Sequence, residues 1–272
     1  MTQNLNKDTK ICMSLAARPS NFGTRFHNYL YNALGLDYLY KAFTTTDLPA
    51  AIGGVRALGI RGCAISMPFK QDCIALVDEL DVSAKAINSV NTIVNTDGYL
   101  KAYNTDYIAI ATLLKQYQVP TSLTFALRGS GGMAKAVACA LKDAGFSRGY
   151  IIAIDETSGR ELANLCGYEW RADIKGLQPE LLINATPIGM SGGDDADKLS
   201  FTPEEVDAAS VIFDVVALPA QTPLIRYARD KDKTVITGSE VFAIQAVEQF
   251  ALYTGIRPDP ALFQKAAAYS RQ

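Results

Sequence analysis

The chain has 272 residues, 49% of them apolar, with 26 Lys plus Arg against 28 Asp plus Glu. That length suits two domains at roughly 100–200 residues each, and such a chain buries about 70–75% of its unfolded surface without needing a disulfide or structural metal. The net charge of −2 lacks the basic excess that nucleic acids and acidic membranes demand, so neither is expected as a partner. The five cysteines are widely spaced with no C-x-x-C pair, which reads as free thiols in a reducing compartment. The single histidine, His27, cannot build a His-rich metal shell, and no metal is expected. Met1–Lys10 is polar with no apolar h-region behind it, and no run of roughly 18 apolar residues occurs, so the expected address is the cytoplasm.

Short apolar runs alternate with longer amphipathic stretches, the pattern of an α/β protein. Strands are expected over Lys10–Leu15, Tyr38–Thr44 and Gly62–Ser66, with helices over Asn21–Leu34, Leu48–Leu58 and Asp72–Leu80. Thr92–Thr96 and Gly98–Ala102 read as a hairpin around Asp97-Gly98, and Tyr107–Tyr117 as a helix. After Pro120 come a strand over Ser122–Leu127, a glycine cluster and a helix over Met133–Ala144. Gly149–Ile154 is the next strand and Ser158–Gly167 the next helix. Leu181–Asn184, Val211–Asp214 and Val235–Thr237 are short and apolar, as in a buried parallel sheet. Ser191–Pro203, with Asp194, Asp195 and Asp197, reads as a solvated surface loop. Val241–Thr254 is an amphipathic helix, and periodicity leaves open which unit it joins.

The most informative string is Gly129-Ser130-Gly131-Gly132-Met133-Ala134, which follows a strand and opens a helix. This is G-x-G-x-x-A in the setting that dinucleotide binding requires. Gly129 permits a tight turn, Gly131 lets the backbone approach a pyrophosphate, and Ala134 allows close helix–strand contact. The helix N-terminus offers N–H groups and its positive dipole end to phosphates. Without a cofactor, the same string also serves as a plain βα turn. The following strand ends at Asp155-Glu156, where a carboxylate accepts hydrogen bonds from ribose hydroxyls and repels a 2′-phosphate. NAD is therefore the expected cofactor and NADP the alternative, unless both acids are simply exposed strand-end charges. Lys70 stands just past a strand end, and Asn91-Thr92 and Asn104-Thr105-Asp106 are polar clusters at the edges of apolar segments. Together these supply a proton donor, a carboxylate and amides that can bind hydroxyls.

These strings, with Ser66-Met67-Pro68-Phe69-Lys70, Ser89–Thr92, Asn184-Ala185-Thr186, Gly189-Met190 and Gln245-Ala246, occur in the order found in shikimate dehydrogenases. The chain resembles that family, most closely its shikimate dehydrogenase-like branch, over about residues 60–250. The resemblance implies an N-terminal α/β substrate domain completed by C-terminal helices (residues 1–107 with 239–272). It also implies a Rossmann-type, doubly wound parallel sheet (residues 108–238), with the active site in the cleft between the domains. By the same resemblance, Lys70 and Asp106 are the catalytic pair, with Asp106 orienting the lysine. Ser66, Asn91 and Gln245, with Ser20 and Asn21, bind a polyhydroxy ring acid such as shikimate or quinate. Gly129, Ser130, Gly131, Gly132, Met133, Ala134, Asp155, Glu156, Thr186 and Gly238 line the cofactor.

Departures from the family pattern define what is unusual here. The Ser-x-Ser pair that holds the substrate carboxylate becomes Asn21 and Gly23, with Ser20 just before. The substrate-side Tyr becomes Ala217, the Asn-Arg-Thr that clamps the NADP phosphate becomes Asp155-Glu156-Thr157, and a glycine near Glu240 is lost. A side-branch enzyme with a related substrate is expected. A dehydrogenase for a different hydroxylated compound and a non-catalytic ligand-binding regulator are the alternatives, and retention of Lys70 and Asp106 argues against the regulator.

Overall fold

The computed structural model describes residues 5–270; residues 1–4 and 271–272, assigned above to the substrate domain, lie outside the described residues. The chain folds as two units, one running to Thr105 and resuming at Ala246, the other Asp106–Gln245.

The first unit holds strands β1 (Lys10–Leu15), β2 (Tyr38–Phe43), β3 (Gly62–Ile65), β4 (Glu79–Leu80), β5 (Thr92–Thr96) and β6 (Tyr99–Tyr103), in sheet order β2-β1-β3-β5-β6-β4. Its helices are α1 (Asn21–Ala33), α2 (Leu48–Ala57) and α3 (Val82–Ile87). The β5–β6 hairpin forms at Asp97-Gly98, where φ is 52° and 87°. Two left-handed residues in succession suit the twist of a tight hairpin. The helix expected over Asp72–Leu80 is instead a 3-10 turn, Asp72–Leu76, followed by β4 paired parallel to β6. Tertiary partners account for the change. Asp78 accepts the Leu100 N–H at 2.7 Å and pairs with Arg56 at 2.6 Å, which draws this segment alongside the hairpin.

The second unit takes up α4 (Thr105–Gln116) from its second residue and continues with β7 (Phe125–Arg128), α5 (Gly132–Ala144), β8 (Gly149–Ile152), α6 (Glu156–Cys166) and β9 (Glu169–Arg171). It continues with β10 (Leu181–Asn184), α7 (Pro203–Ala208), β11 (Val211–Asp214), α8 (Pro223–Asp230), β12 (Thr234–Thr237) and the first part of α9 (Gly238–Thr254). All six strands run parallel in the order β12-β11-β10-β7-β8-β9, the doubly wound arrangement. β10 and β11 are buried at every residue, which explains their unbroken apolar runs. β8 stops at Ile152, two residues before the expected end, and Ile154 is 99% exposed. The order reverses between β7 and β10, so the carboxyl ends of these two strands mark the crevice where such sheets bind ligands.

The distal half of α9 and α10 (Pro260–Ser270) belong to the first unit. Phe263 of α10 meets Phe26 of α1 edge-on at 5.4 Å, and both are buried. Each such side chain contributes about 1.5–3 kcal/mol by leaving water. All five cysteines are unbridged thiols, and no helix among the described residues is long and apolar enough to cross a membrane.

Candidate functional site

In the first unit, the chain after β3 is tied down by its backbone. Ser66 N–H donates to Leu15 O, Phe69 N–H to Ser66 O, and Val90 N–H to Lys70 O at 2.8 Å. Lys70 is thus held beside the segment entering β5, where Asn91 is 8% exposed. The Asn91 carboxamide oxygen accepts the Thr105 N–H and the Thr92 hydroxyl, each at 2.9 Å, and its nitrogen donates to Thr105 Oγ1 at 3.0 Å. Ser20 occupies the N-cap position of α1 but its side chain makes no capping bond; Asn21 follows it, and both are exposed. Ser66 is exposed as well.

Asp106, the first residue of the second unit, receives the Gln245 amide at 2.6 Å on Oδ1. Two residues far apart in sequence, both expected at the site by the resemblance, are thereby joined. Asn91 and Gln245 consequently engage successive residues, Thr105 and Asp106. Lys70 lies in the other unit from Asp106.

The glycine loop follows β7. Gly129 has φ +118°, and a Cβ there would stand 2.9 Å from Ala185 O, so this turn demands glycine. Gly131 is the extended N-cap of α5 with no side-chain cap, and a Cβ on Gly131 or Gly132 would meet nothing within 4 Å. A thirteen-residue helix thus starts at two glycines with room beside them, and the first N–H groups of a helix are the groups that receive a pyrophosphate. Ala134 is fully buried, Met133 partly so, and Ser130 Oγ lies 2.8 Å from Ser158 Oγ. Thr186 sits beside Gly129 and donates its hydroxyl to Asn184 Oδ1 at 2.6 Å.

Asp155 caps α6 by accepting the Ser158 N–H at 2.8 Å, and Ser158 holds its carboxyl below the usual range. Glu156 pairs with Arg160 at 2.7 Å, and the Arg160 guanidinium stacks on Trp170. Of these two acids, Asp155 thus caps the helix and Glu156 is held by Arg160. Glu240 likewise has a structural task. It accepts the Thr237 N–H at 2.9 Å while Thr237 Oγ1 faces the Glu240 N–H at 3.4 Å, a reciprocal cap at the start of α9. Gly238, one residue on from Thr237, has its α-carbon against the Val216 carbonyl.

Behind the crevice lies a buried network that joins Asn184, from one of the strings above, to Asp214 and Thr222, which no string contains. Asn184 donates to Asp214 Oδ1 at 3.0 Å, and the Thr222 hydroxyl donates to Asp214 Oδ2 at 2.6 Å. Burial pushes the Asp214 carboxyl up to about 6, opposed by the hydrogen bonds from Thr222, Val216 and Asn184. Because the folded value exceeds the unfolded one, this group's protonation favours the fold at low pH, and that contribution disappears as pH rises towards and through 6. The shift corresponds to about 3 kcal/mol. Asp214→Asn keeps the shape and removes the charge. The stability of wild type minus that of the variant is expected to fall by up to about 3 kcal/mol between about pH 4 and pH 7.5, read from urea midpoints. A pH-independent difference would show that Asp214 is ionised throughout.

A doubly wound sheet with a glycine loop at its switch point is the arrangement found in dinucleotide-binding α/β proteins. Residues 22–93 match the family model described as the shikimate dehydrogenase substrate binding domain. The chain is 54% identical to a shikimate dehydrogenase-like protein of Haemophilus influenzae, covering 98% of both sequences. A solved structure of a shikimate 5-dehydrogenase-like protein superposes with a TM-score of 0.97 at 54% identity, covering 98% of this chain and all of that one. The shikimate 5-dehydrogenase of Thermus thermophilus, solved with NADP(H) and shikimate, gives 0.82 at 28% identity, covering 96% of this chain and 99% of that one. The chain belongs to the shikimate dehydrogenase family of oxidoreductases.

Proposed function

We propose that the protein transfers a hydride between a nicotinamide cofactor and a ring hydroxyl of shikimate, quinate or a related ring acid. The observation that carries this is the pair of successive residues Thr105 and Asp106, one engaged by Asn91 and the other by Gln245. Amides and a carboxylate are the groups that suit a substrate rich in hydroxyls. When bound, the cofactor supplies the two-electron chemistry. Gly131 and Gly132 would hold its pyrophosphate by backbone N–H groups, and Asp155 its ribose hydroxyls.

The residues then manage the proton. Oxidation of a ring hydroxyl to a ketone releases the hydroxyl proton, which Lys70 accepts; in reduction the Lys70 ammonium donates it to the carbonyl oxygen. Asp106 orients Lys70, and Gln245 steadies Asp106. Without the serine pair, the substrate carboxylate is left to Asn21, Ser20 and nearby arginines such as Arg18 and Arg25. This supports a related substrate such as quinate, or poor activity on shikimate. Five buried thiols agree with a reducing cytoplasm as the working compartment.

NAD is the cofactor this reading prefers, because a 2′-phosphate would meet the charged Asp155 carboxylate. The test is to mix the protein with NAD⁺ or NADP⁺ and shikimate or quinate, following absorbance of the reduced cofactor. Reduction with at least one ring acid is expected, faster with NAD⁺. Absence of reduction with every pair would favour a ligand-binding regulator. Glu156→Arg, which also frees Arg160, is expected to move the NAD/NADP preference towards NADP about tenfold, matching roughly 1–2 kcal/mol of near-surface Coulomb interaction.

A further inference from the structure

The only histidine is buried, 2% exposed, in a box of aromatic rings. Tyr40 stacks on it at 4.3 Å, Phe26 meets it edge-on at 5.4 Å, and Phe250 lies 6.1 Å away. An imidazole in such a setting is ordinarily packing. Its Nε2, however, reaches Gln249 Oε1 at 3.3 Å, and Gln249 Nε2 reaches Thr92 Oγ1 at 3.0 Å. Thr92 Oγ1 in turn lies 2.9 Å from Asn91 Oδ1.

We infer that His27 is a positioning residue for Asn91, acting through a one-way chain of hydrogen bonds in which His27 must carry its proton on Nε2. The direction is forced link by link, starting from the backbone. The Thr105 N–H can only donate, so the Asn91 atom it meets at 2.9 Å is the carboxamide oxygen. That oxygen can only accept, so the single hydroxyl hydrogen of Thr92 is spent on it. Thr92 Oγ1 is then an acceptor towards Gln249, which must present its amide nitrogen. The Gln249 oxygen therefore faces the imidazole, and an oxygen there requires Nε2–H. A backbone amide at residue 105 thus dictates the tautomer of a side chain at residue 27.

The other ring nitrogen agrees. Nδ1 is buried with no hydrogen-bond partner among the described residues, a place where a bare lone pair is tolerated better than an orphan N–H. Burial also lowers the imidazole to about 4, so the ring is neutral and carries one proton, not two. The titratable groups facing it are the Tyr40, Tyr31 and Tyr253 phenols, neutral at ordinary pH.

The consequence falls on ligand binding and rests on Asn91 being a ring-acid ligand. With its oxygen accepting from Thr92 and the Thr105 N–H and its nitrogen donating to Thr105 Oγ1, the Asn91 carboxamide is fixed in one orientation, and that orientation decides which of its edges a hydroxyl or keto oxygen would meet. If the chain from His27 is cut, the Thr92 hydroxyl can turn and the carboxamide loses one of its fixed partners.

The test begins with the full-length protein alone. Long-range ¹⁵N–¹H correlation spectra of the sole imidazole are expected to show the Nε2–H form at neutral pH; an Nδ1–H form or an imidazolium would overturn the chain. His27→Phe keeps the stacking and removes the donor, and Thr92→Val cuts the chain without changing shape. Both are expected to move the Asn91 side-chain amide resonances, assigned by their loss in Asn91→Asp. His27→Gln, which offers a replacement N–H, is expected to return them towards wild type. Unmoved Asn91 resonances in His27→Phe would make His27 packing only. In turnover, His27→Phe is expected to raise KM for the ring acid about tenfold, the loss of one ordinary hydrogen bond, with the Kd for NAD⁺ unchanged. Equal weakening of both would overturn the positioning role. Should wild type reduce NAD⁺ and NADP⁺ with no ring acid, the proposed reaction fails, while the tautomer and the amide resonances still decide the chain.

Discussion

Lys70→Ala is expected to lower kcat by about 10³-fold, within the usual range for removal of a general acid–base, while the Kd for the nicotinamide cofactor stays within about twofold. The two effects separate because Lys70 and the cofactor loop belong to different units. The Lys70 backbone is pinned through its carbonyl to Val90 N–H, a bond that alanine keeps. The loss would therefore be chemical, and thermal unfolding should barely change. Lys70→Arg is the sharper companion. It keeps a positive charge and donors, but a guanidinium does not give up a proton in this pH range, so turnover should remain low. Near-normal turnover in Lys70→Ala would remove the lysine from the mechanism. Recovery in Lys70→Arg would reduce its role to anion contact.

The parts of this protein legible from sequence were those set by local chemistry. The Asp97-Gly98 hairpin needs two left-handed residues, and the glycine string declared its turn and helix start within a few positions. β10 and β11 were legible because burial on both faces leaves an unbroken apolar run. Elements made by distant partners were not. β9 is three residues, two of them charged, and exists by pairing with β8. α7 and α8 are short helices held by Thr202 and Thr222 caps with proline in the first turn, a signal present in the chain but too brief for periodicity. His27 reads as an inert histidine until Gln249 is placed beside it. The available hint was Gln245 and Gln249, one turn apart on a helix and so on a shared face. The acids at 155 and 156 read as cofactor contacts, whereas the fold shows that Asp155 also caps α6 and Glu156 holds Arg160.

Two glycine substitutions in the cofactor unit should have opposite signatures. At Gly238 a Cβ would overlap the Val216 carbonyl carbon and oxygen and the Val215 carbonyl carbon. These are backbone atoms, with no flexible side chain to swing aside, and they sit at the end of β11 beside the start of α9. Gly238→Ala must push two strand ends apart, at a cost of about 3 kcal/mol or more, the upper end for overpacking. For a unit of this size that is a fall of roughly 6–12 °C in Tm, with cofactor binding lost as a by-product. Gly131→Ala meets the reverse situation. Its φ of −77° and ψ of −174° suit any residue, and the added methyl touches nothing within 4 Å. Tm should hold, while the methyl takes the space a pyrophosphate needs and raises the cofactor Kd by about tenfold or more. If Gly131→Ala binds cofactor normally, the loop is an ordinary βα turn; if Gly238→Ala is as stable as wild type, the close approach of its backbone to Val216 is wrong.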